Sequence, residues 1–179
     1  MRLSVRNLSK SYDKKEVVKN ITFEMSCGET LGILGPNGAG KTTLFYIIAG
    51  LIDCENGDIH LGETRINNTN ISQRTTLGLS YLPQESSIFK GLTVEENILS
   101  ALEQRKDIQK KDIKETLEVL LEEFNLQNFS KTMGVKLSGG ERRRTEIARS
   151  LATNPKFILL DEPFAGIDPI AVSDLKETI

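Results

Sequence analysis

The run Gly35-Pro36-Asn37-Gly38-Ala39-Gly40-Lys41-Thr42 matches GxxxxGK[ST] at every fixed position. Phosphate binding is the chemistry such a run serves. Glycines lack a Cβ, so the chain can curl until successive N–H groups converge on one anion. A helix starting directly after the loop adds the positive end of its dipole. In that arrangement Lys41 reaches the β- and γ-phosphates, Thr42 offers its hydroxyl to Mg²⁺, and Thr43 contacts the α-phosphate. A second pair narrows the chemistry to hydrolysis. Asp161 closes the apolar run Phe157-Ile158-Leu159-Leu160, where a carboxylate can hold Mg²⁺. Glu162 follows directly, placed to accept a proton from an attacking water. A Gly-rich turn with a surface lysine, or an exposed acid pair at a strand end, is the bland alternative for each motif. Their presence in one chain disfavours both alternatives.

These residues need elements to position them. Ile21, Phe23 and Met25 alternate with polar residues, as in a half-buried strand. Glu29 through Leu34 reads as a buried strand running into the phosphate loop. Beyond Lys41, the spacing of Leu44, Phe45, Ile47, Ile48 and Leu51 predicts a helix that Gly50 and Asp53 interrupt. Residues 57–61 and 77–82 are further short strands. Thr93 and Glu96 have capping-box spacing, and Ile113, Leu117, Leu120, Leu121 and Phe124 share one helical face. The charge-dense stretch Gln104–Lys114 between them reads as a turn or exposed helix surface. The expected organisation is a nucleotide-binding core over 1–85, a helical subdomain over 86–150 and a continuation of the core over 151–179.

The 179 residues suggest one domain, with room for a subdomain, at about 150 residues per domain. With 23 basic and 25 acidic side chains the formal charge is −2, which argues against a nucleic-acid partner. Cys27 and Cys54 form no CxxC pair, excluding zinc ribbons and thioredoxin-like motifs and favouring a reducing compartment. Residues 1–6 alternate like a strand and lack a signal-peptide core. The longest apolar-leaning stretch, Leu44–Ile52, is about half of a membrane span. The expectation is a chain that does not cross a bilayer.

Leu137-Ser138-Gly139-Gly140-Glu141 is the decisive segment. Ser138-x-x-Glu141 is itself a capping box, opening a helix with Ile147, Ala148 and Leu151 on one face. A cap does not need two consecutive glycines, whereas a bare helix start facing an anion makes use of them. The segment resembles the signature motif of ATP-binding cassette (ABC) ATPases, and Ser138 stands 23 positions before Asp161, as in that family. The resemblance covers essentially the whole chain. It implies an α/β fold of the P-loop NTPase type: a RecA-like core with an N-terminal antiparallel β portion and a helical subdomain.

It also implies roles. Tyr12 matches the aromatic that stacks on adenine, and Gln84 the glutamine that senses Mg²⁺ and the attacking water and faces the membrane subunits. ATP is held by Gly35, Pro36, Asn37, Gly38, Ala39, Gly40, Lys41, Thr42 and Thr43 of one chain. Ser138, Gly139 and Gly140 of a second chain complete the site, in a homodimer closed across the nucleotide. Mg²⁺ is held by Thr42, Gln84 and Asp161; Glu162, Gln84 and Lys41 are catalytic. Ala165-Gly166-Ile167-Asp168 resembles the D-loop, which contacts the opposite subunit.

Residues 81–89, 137–150 and 161–169 are similar to those of lipopolysaccharide-export ATPases, with the ATPases of branched-chain amino-acid importers the nearest competitor. The Arg142-Arg143-Arg144 run and residues 164–169 favour the exporter; the arginines otherwise read as a solvated helix face. Two integral-membrane subunits are expected to dock near Gln84–Phe89, with Ile88 and Phe89 either forming the apolar wall or packing locally under the helical subdomain. The implied location is peripheral, on the cytoplasmic face of the inner (plasma) membrane. The family's switch histidine lies on a strand beyond the D-loop, so the chain, whose only histidine is His60, is expected to be a C-terminally truncated fragment. Chromosome-maintenance cassettes are excluded because Lys41 and Asp161 are only 120 positions apart with no sustained heptads. A soluble translation-associated cassette is the remaining rival, and a small-molecule kinase would leave Gly139-Gly140 unexplained.

Overall fold

The computed structural model describes residues 1–163, in two compact units, Met1–Ser80 and a second beginning at Tyr81. In the first, β1 (Arg2–Tyr12) and β2 (Lys15–Ser26) form a hairpin, and β3 (Asn56–Leu61) and β4 (Thr64–Arg65) extend it in the order β2-β1-β3-β4, all antiparallel. The alternation expected at residues 1–6 and 21–25 is realised until β1 bulges. There Asn7 takes a left-handed φ of 50°, which asparagine tolerates better than most residues, and its backbone N–H bonds Thr22 Oγ1 at 2.9 Å. Leu3, Val5, Leu8, Ile59 and Ile66 are fully buried. Each such side chain contributes about 1.5–3 kcal/mol of burial.

The helix expected after the phosphate loop is α1 (Lys41–Ala49). It stops at Gly50, whose φ of 80° forms the left-handed cap. A short helix, α2 (Ile71–Thr76), supplies Arg74, 2% exposed. Its guanidinium donates to Ile47 O at 2.6 Å and Ile48 O at 2.7 Å in the last turn of α1, and to Ile66 O at 2.7 Å.

Residues 29–34 do not form the expected buried strand. They pair with no strand among the described residues, and Leu34 is 96% exposed. An apolar run becomes a buried strand only where neighbouring strands complete its hydrogen bonds and layers cover both faces. That requirement lies outside the run itself.

β5 (Leu79–Leu82) leads into the second unit and pairs with β6 (Phe157–Leu160). Between them lie α3 (Val94–Leu102), α4 (Ile113–Glu123) and α5 (Gly139–Ala152). The expected Thr93–Glu96 and Ser138–Glu141 capping boxes both form. Leu117, Leu120, Leu121 and Phe124 of the predicted helical face pack with Ile98, Leu102, Ile147 and Leu82 in one core. Buried Asn97 fixes the approach to α3, donating to Phe89 O at 3.1 Å and Thr93 O at 2.8 Å and accepting from Phe89 N at 2.9 Å.

Candidate functional site

In the first unit the chain turns at Asn37–Gly40, with Ala39 N donating to Pro36 O at 3.2 Å. Gly38 and Gly40 have φ of 77° and 87°, in the left-handed region. A Cβ on Gly40 would lie 2.4 Å from Val17 O, so only glycine fits where β2 meets the loop. α1 begins immediately afterwards. Among the described residues its first turn has neither a side-chain cap nor an acid, leaving the N–H groups of Lys41, Thr42 and Thr43 for an anion. Lys41 Nζ lies over the loop, donating to Gly35 O at 2.8 Å and Pro36 O at 3.0 Å. Tyr12, 49% exposed, ends β1 where it pairs with Lys15, two residues before the Val17 that Gly40 abuts. Lys10 Nζ sits 5.7 Å from its ring centroid.

In the second unit Asp161 is 1% exposed at the end of β6. Its N–H donates to Leu82 O at 3.1 Å, and Tyr81 Oη donates to its Oδ2 at 3.4 Å. Glu162 adopts φ 46°, a left-handed conformation that costs a non-glycine residue about 1–2 kcal/mol. The twist exposes its carboxylate, and Gln84 Nε2 donates to Glu162 Oε2 at 2.8 Å. Two residues assigned to one reaction, 78 positions apart, are therefore in direct contact.

Ser138 is the exposed N-cap of α5; its Oγ accepts from Glu141 N at 3.3 Å and its N–H donates to Glu141 Oε2 at 2.8 Å. The cap uses an oxygen lone pair and leaves the hydroxyl proton free to donate. Gly139 and Gly140 form the first two helical positions, and Leu137, 4% exposed, anchors the segment. The D-loop residues Ala165–Asp168 lie outside the described residues.

One expectation needs correction and one open alternative is decided. The Arg142–Arg144 run is not a solvated face: none of the three is exposed, and Arg143 is 6% exposed and ion-paired to Glu146 at 3.2 Å. Arg143 lies four residues before Ile147, on the apolar stripe, and that placement was the missed signal. Ile88 is not a groove wall, because it is 8% exposed and packs in the helical core. Phe89 alone faces outward, 52% exposed, with the Arg149 guanidinium 4.6 Å from its ring centroid. Burial pushes the Arg149 pKa down, and Glu146 nearby opposes that shift.

The profile of the family described as ABC transporter matches residues 18–165. The chain is 50% identical, over 99% of its length, to the lipopolysaccharide export system ATP-binding protein LptB of Haemophilus influenzae, and 46% identical to that of Escherichia coli K12. It spans 73% of each of these relatives. A solved ATP-binding cassette of an ABC transporter, MJ1267, superposes with a TM-score of 0.85 at 29% identity, covering 98% of this chain and 74% of that one. The cassette MJ0796, solved as a dimer bound to ADP and Pi, superposes with a TM-score of 0.84 at 25% identity, covering 98% and 80%. Among the described residues no helix is long and apolar enough to cross a membrane.

Proposed function

The chain belongs to the ABC transporter family, and on that premise we propose that it is the ATP-binding and ATP-hydrolysing subunit of a lipopolysaccharide export system. The likeness to LptB over 99% of the chain carries the assignment of cargo. The Gln84–Glu162 contact beside buried Asp161 carries the assignment of hydrolysis.

The residues fit the two groups the reaction needs. The uncapped start of α1, the left-handed glycines and Lys41 form a set of N–H and ammonium donors suited to a polyphosphate. Asp161, Thr42 and Gln84 offer hard oxygens, the donors Mg²⁺ prefers. When bound, the cation neutralises charge on the terminal phosphates.

The chain's own groups do the rest. Gly35 through Thr43 wrap the phosphates, Lys41 leaves its loop carbonyls to bind the β- and γ-oxygens, and Tyr12 stacks on the base. Glu162 orients the water and receives its proton, with Gln84 holding one carboxylate oxygen in place. Ser138, Gly139 and Gly140 of a second copy donate to the terminal phosphate, so ATP favours the closed homodimer and hydrolysis releases it. The exposed ring of Phe89, near Gln84 in sequence, supports docking of two integral-membrane subunits there. The division into a core over 1–85 and 151–179 and a helical subdomain over 86–150 belongs to this reading. So does a peripheral place on the cytoplasmic face of the inner membrane.

The test is reconstitution of the full-length protein with its membrane subunits in liposomes containing lipopolysaccharide. ATP should drive release of lipopolysaccharide to an acceptor, and Glu162→Gln should stop release while ATP still binds. ATP turnover that moves a branched-chain amino acid instead would reassign the cargo.

A further inference from the structure

We propose that the buried pair Arg143–Glu146 on α5 is a positioning device that sets Gln84 against Glu162, acting on turnover rather than on nucleotide affinity; the inference rests on the hydrolysis reading above. The side chains of Arg143 and Glu146 are 7% and 2% exposed. Arg143 Nη1 donates to Pro83 O at 2.8 Å, and Nε donates to Pro163 O at 2.9 Å. Pro83 directly precedes Gln84, and Pro163 directly follows Glu162. A proline has no N–H, so its carbonyl is the one backbone group that can be gripped at either place. One planar guanidinium therefore spans both backbones with a fixed fork.

Glu146 completes the bracket. Its Oε2 accepts from Arg143 Nη1 at 3.2 Å. Its Oε1 accepts from Ser86 Oγ at 2.6 Å, Ser87 N at 2.9 Å and Ile88 N at 3.2 Å. Gln84 is thus fixed by Arg143 on one side and by Glu146 a few residues later. Because Ser138 caps α5, both constraints come from the helix that carries the signature segment.

Stability alone does not account for the choice of an arginine. Apolar residues often replace a buried ion pair at little cost, but here they would strip five polar groups of their partner, so the pair carries stability as well as position. Among the described residues Arg143 Nη2 has no acceptor, which adds a desolvation cost. An aliphatic side chain cannot fix two carbonyls relative to each other.

The experiment uses the full-length protein in its membrane complex. Arg143→Lys keeps the charge but cannot span both prolines. A misplaced reacting group should lower kcat roughly 10- to 100-fold. The KM for ATP and equilibrium binding of a fluorescent ATP analogue should stay within about threefold, and the melting temperature should be retained. In a Gln84→Ala background the same substitution should cost less than in the parent, because one of the two side chains that Arg143 aligns is gone. An unchanged kcat, an undiminished loss beside Gln84→Ala, or a parallel fall of kcat, affinity and melting temperature overturns the proposal. If Arg143→Lys does not fold, Glu146→Gln is put through the same measurements, since one amide oxygen cannot serve both Arg143 and the Ser86–Ile88 donors. Failure of both to fold makes the pair structural and also overturns the proposal. Turnover that survives Glu162→Gln instead removes Glu162 from the role of base, the reading on which the proposal rests, so the two failures are distinguishable.

Discussion

Gln84 Nε2 meets Glu162 Oε2 at 2.8 Å, joining the segment after β5 to the residue that follows Asp161. An amide there can donate to a carboxylate at any pH in the working range; a second carboxylate cannot. Gln84→Glu would force the two acids to share a proton, as like charges at that separation do. The fraction of enzyme with a free base then falls at neutral pH, and the acidic limb of the turnover profile moves to higher pH. A pH–rate series for Gln84→Glu against the parent checks this, and coincident limbs would remove Gln84 from contact with the base.

Glu162→Gln keeps the shape and an acceptor oxygen but loses proton affinity. Turnover should fall by roughly 10²–10⁴-fold, the usual worth of a positioned general base. ATP affinity, carried by the phosphate loop, should hold. Single-turnover hydrolysis combined with equilibrium nucleotide binding separates the two.

Gly40 and Gly28 make a controlled pair. Both have left-handed φ, 87° and 84°, but a Cβ on Gly40 meets Val17 O at 2.4 Å while one on Gly28 meets nothing within 4 Å. Each alanine substitution carries about 1–2 kcal/mol of backbone strain. Only Gly40→Ala also displaces the phosphate loop from β2. It should weaken nucleotide binding by about tenfold or more, with Gly28→Ala leaving binding intact. Equal effects on nucleotide affinity would separate the loop's function from its seat on β2.

The sequence made local features legible and left non-local ones obscure. The phosphate loop, the start of α1 and the Thr93 and Ser138 capping boxes were visible because each is dictated within a few residues. The 29–34 run was misread as a buried strand because burial depends on neighbours its own residues do not specify. Arg143 was misread by residue type: three arginines suggested solvent, although the i+4 relation to Ile147 placed one of them inside. The sequence left open whether Ile88 and Phe89 face outward or pack locally, because two adjacent apolar residues do not reveal which one turns inward; Ile88 packs and Phe89 is exposed. The Gln84–Glu162 contact joins residues 78 positions apart, and its hydrogen bond cannot be read from either neighbourhood alone.

The entry to α3 should be acid-sensitive. Glu96 accepts from Thr93 N at 2.7 Å and Thr93 Oγ1 at 3.0 Å, and these bonds hold its carboxyl below its ordinary value. A depressed carboxylate contributes stability above its unfolded value, and that contribution is lost as pH falls through the folded one. Glu96→Gln should therefore destabilise at neutral pH, with the difference closing below about pH 4. Thr93→Ala removes the side-chain half of the box and should cost about 1 kcal/mol. Urea melts of both variants at neutral and acid pH check the sign, and a Glu96→Gln effect that grows on acidification would contradict it.

Arg74 carries the largest stability prediction. It lies 2% exposed and bonds Ile47 O, Ile48 O and Ile66 O, so it closes the C-terminal end of the helix that starts at the phosphate loop. Positive charge there also complements the helix dipole. Arg74→Met fills similar volume but leaves those carbonyls without their donor, each worth about 1–3 kcal/mol when buried. The penalties overlap, giving a net loss of about 3 kcal/mol or more, in the range reserved for broken buried networks. Arg74→Lys should recover only part, because one ammonium cannot reach carbonyls on both α1 and the segment after β4. Hydrogen exchange offers the sharpest reading: amides in the last turn of α1 should lose protection in Arg74→Met before those of β1. Uniform loss across the first unit would mean that Arg74 supports the sheet as much as the helix.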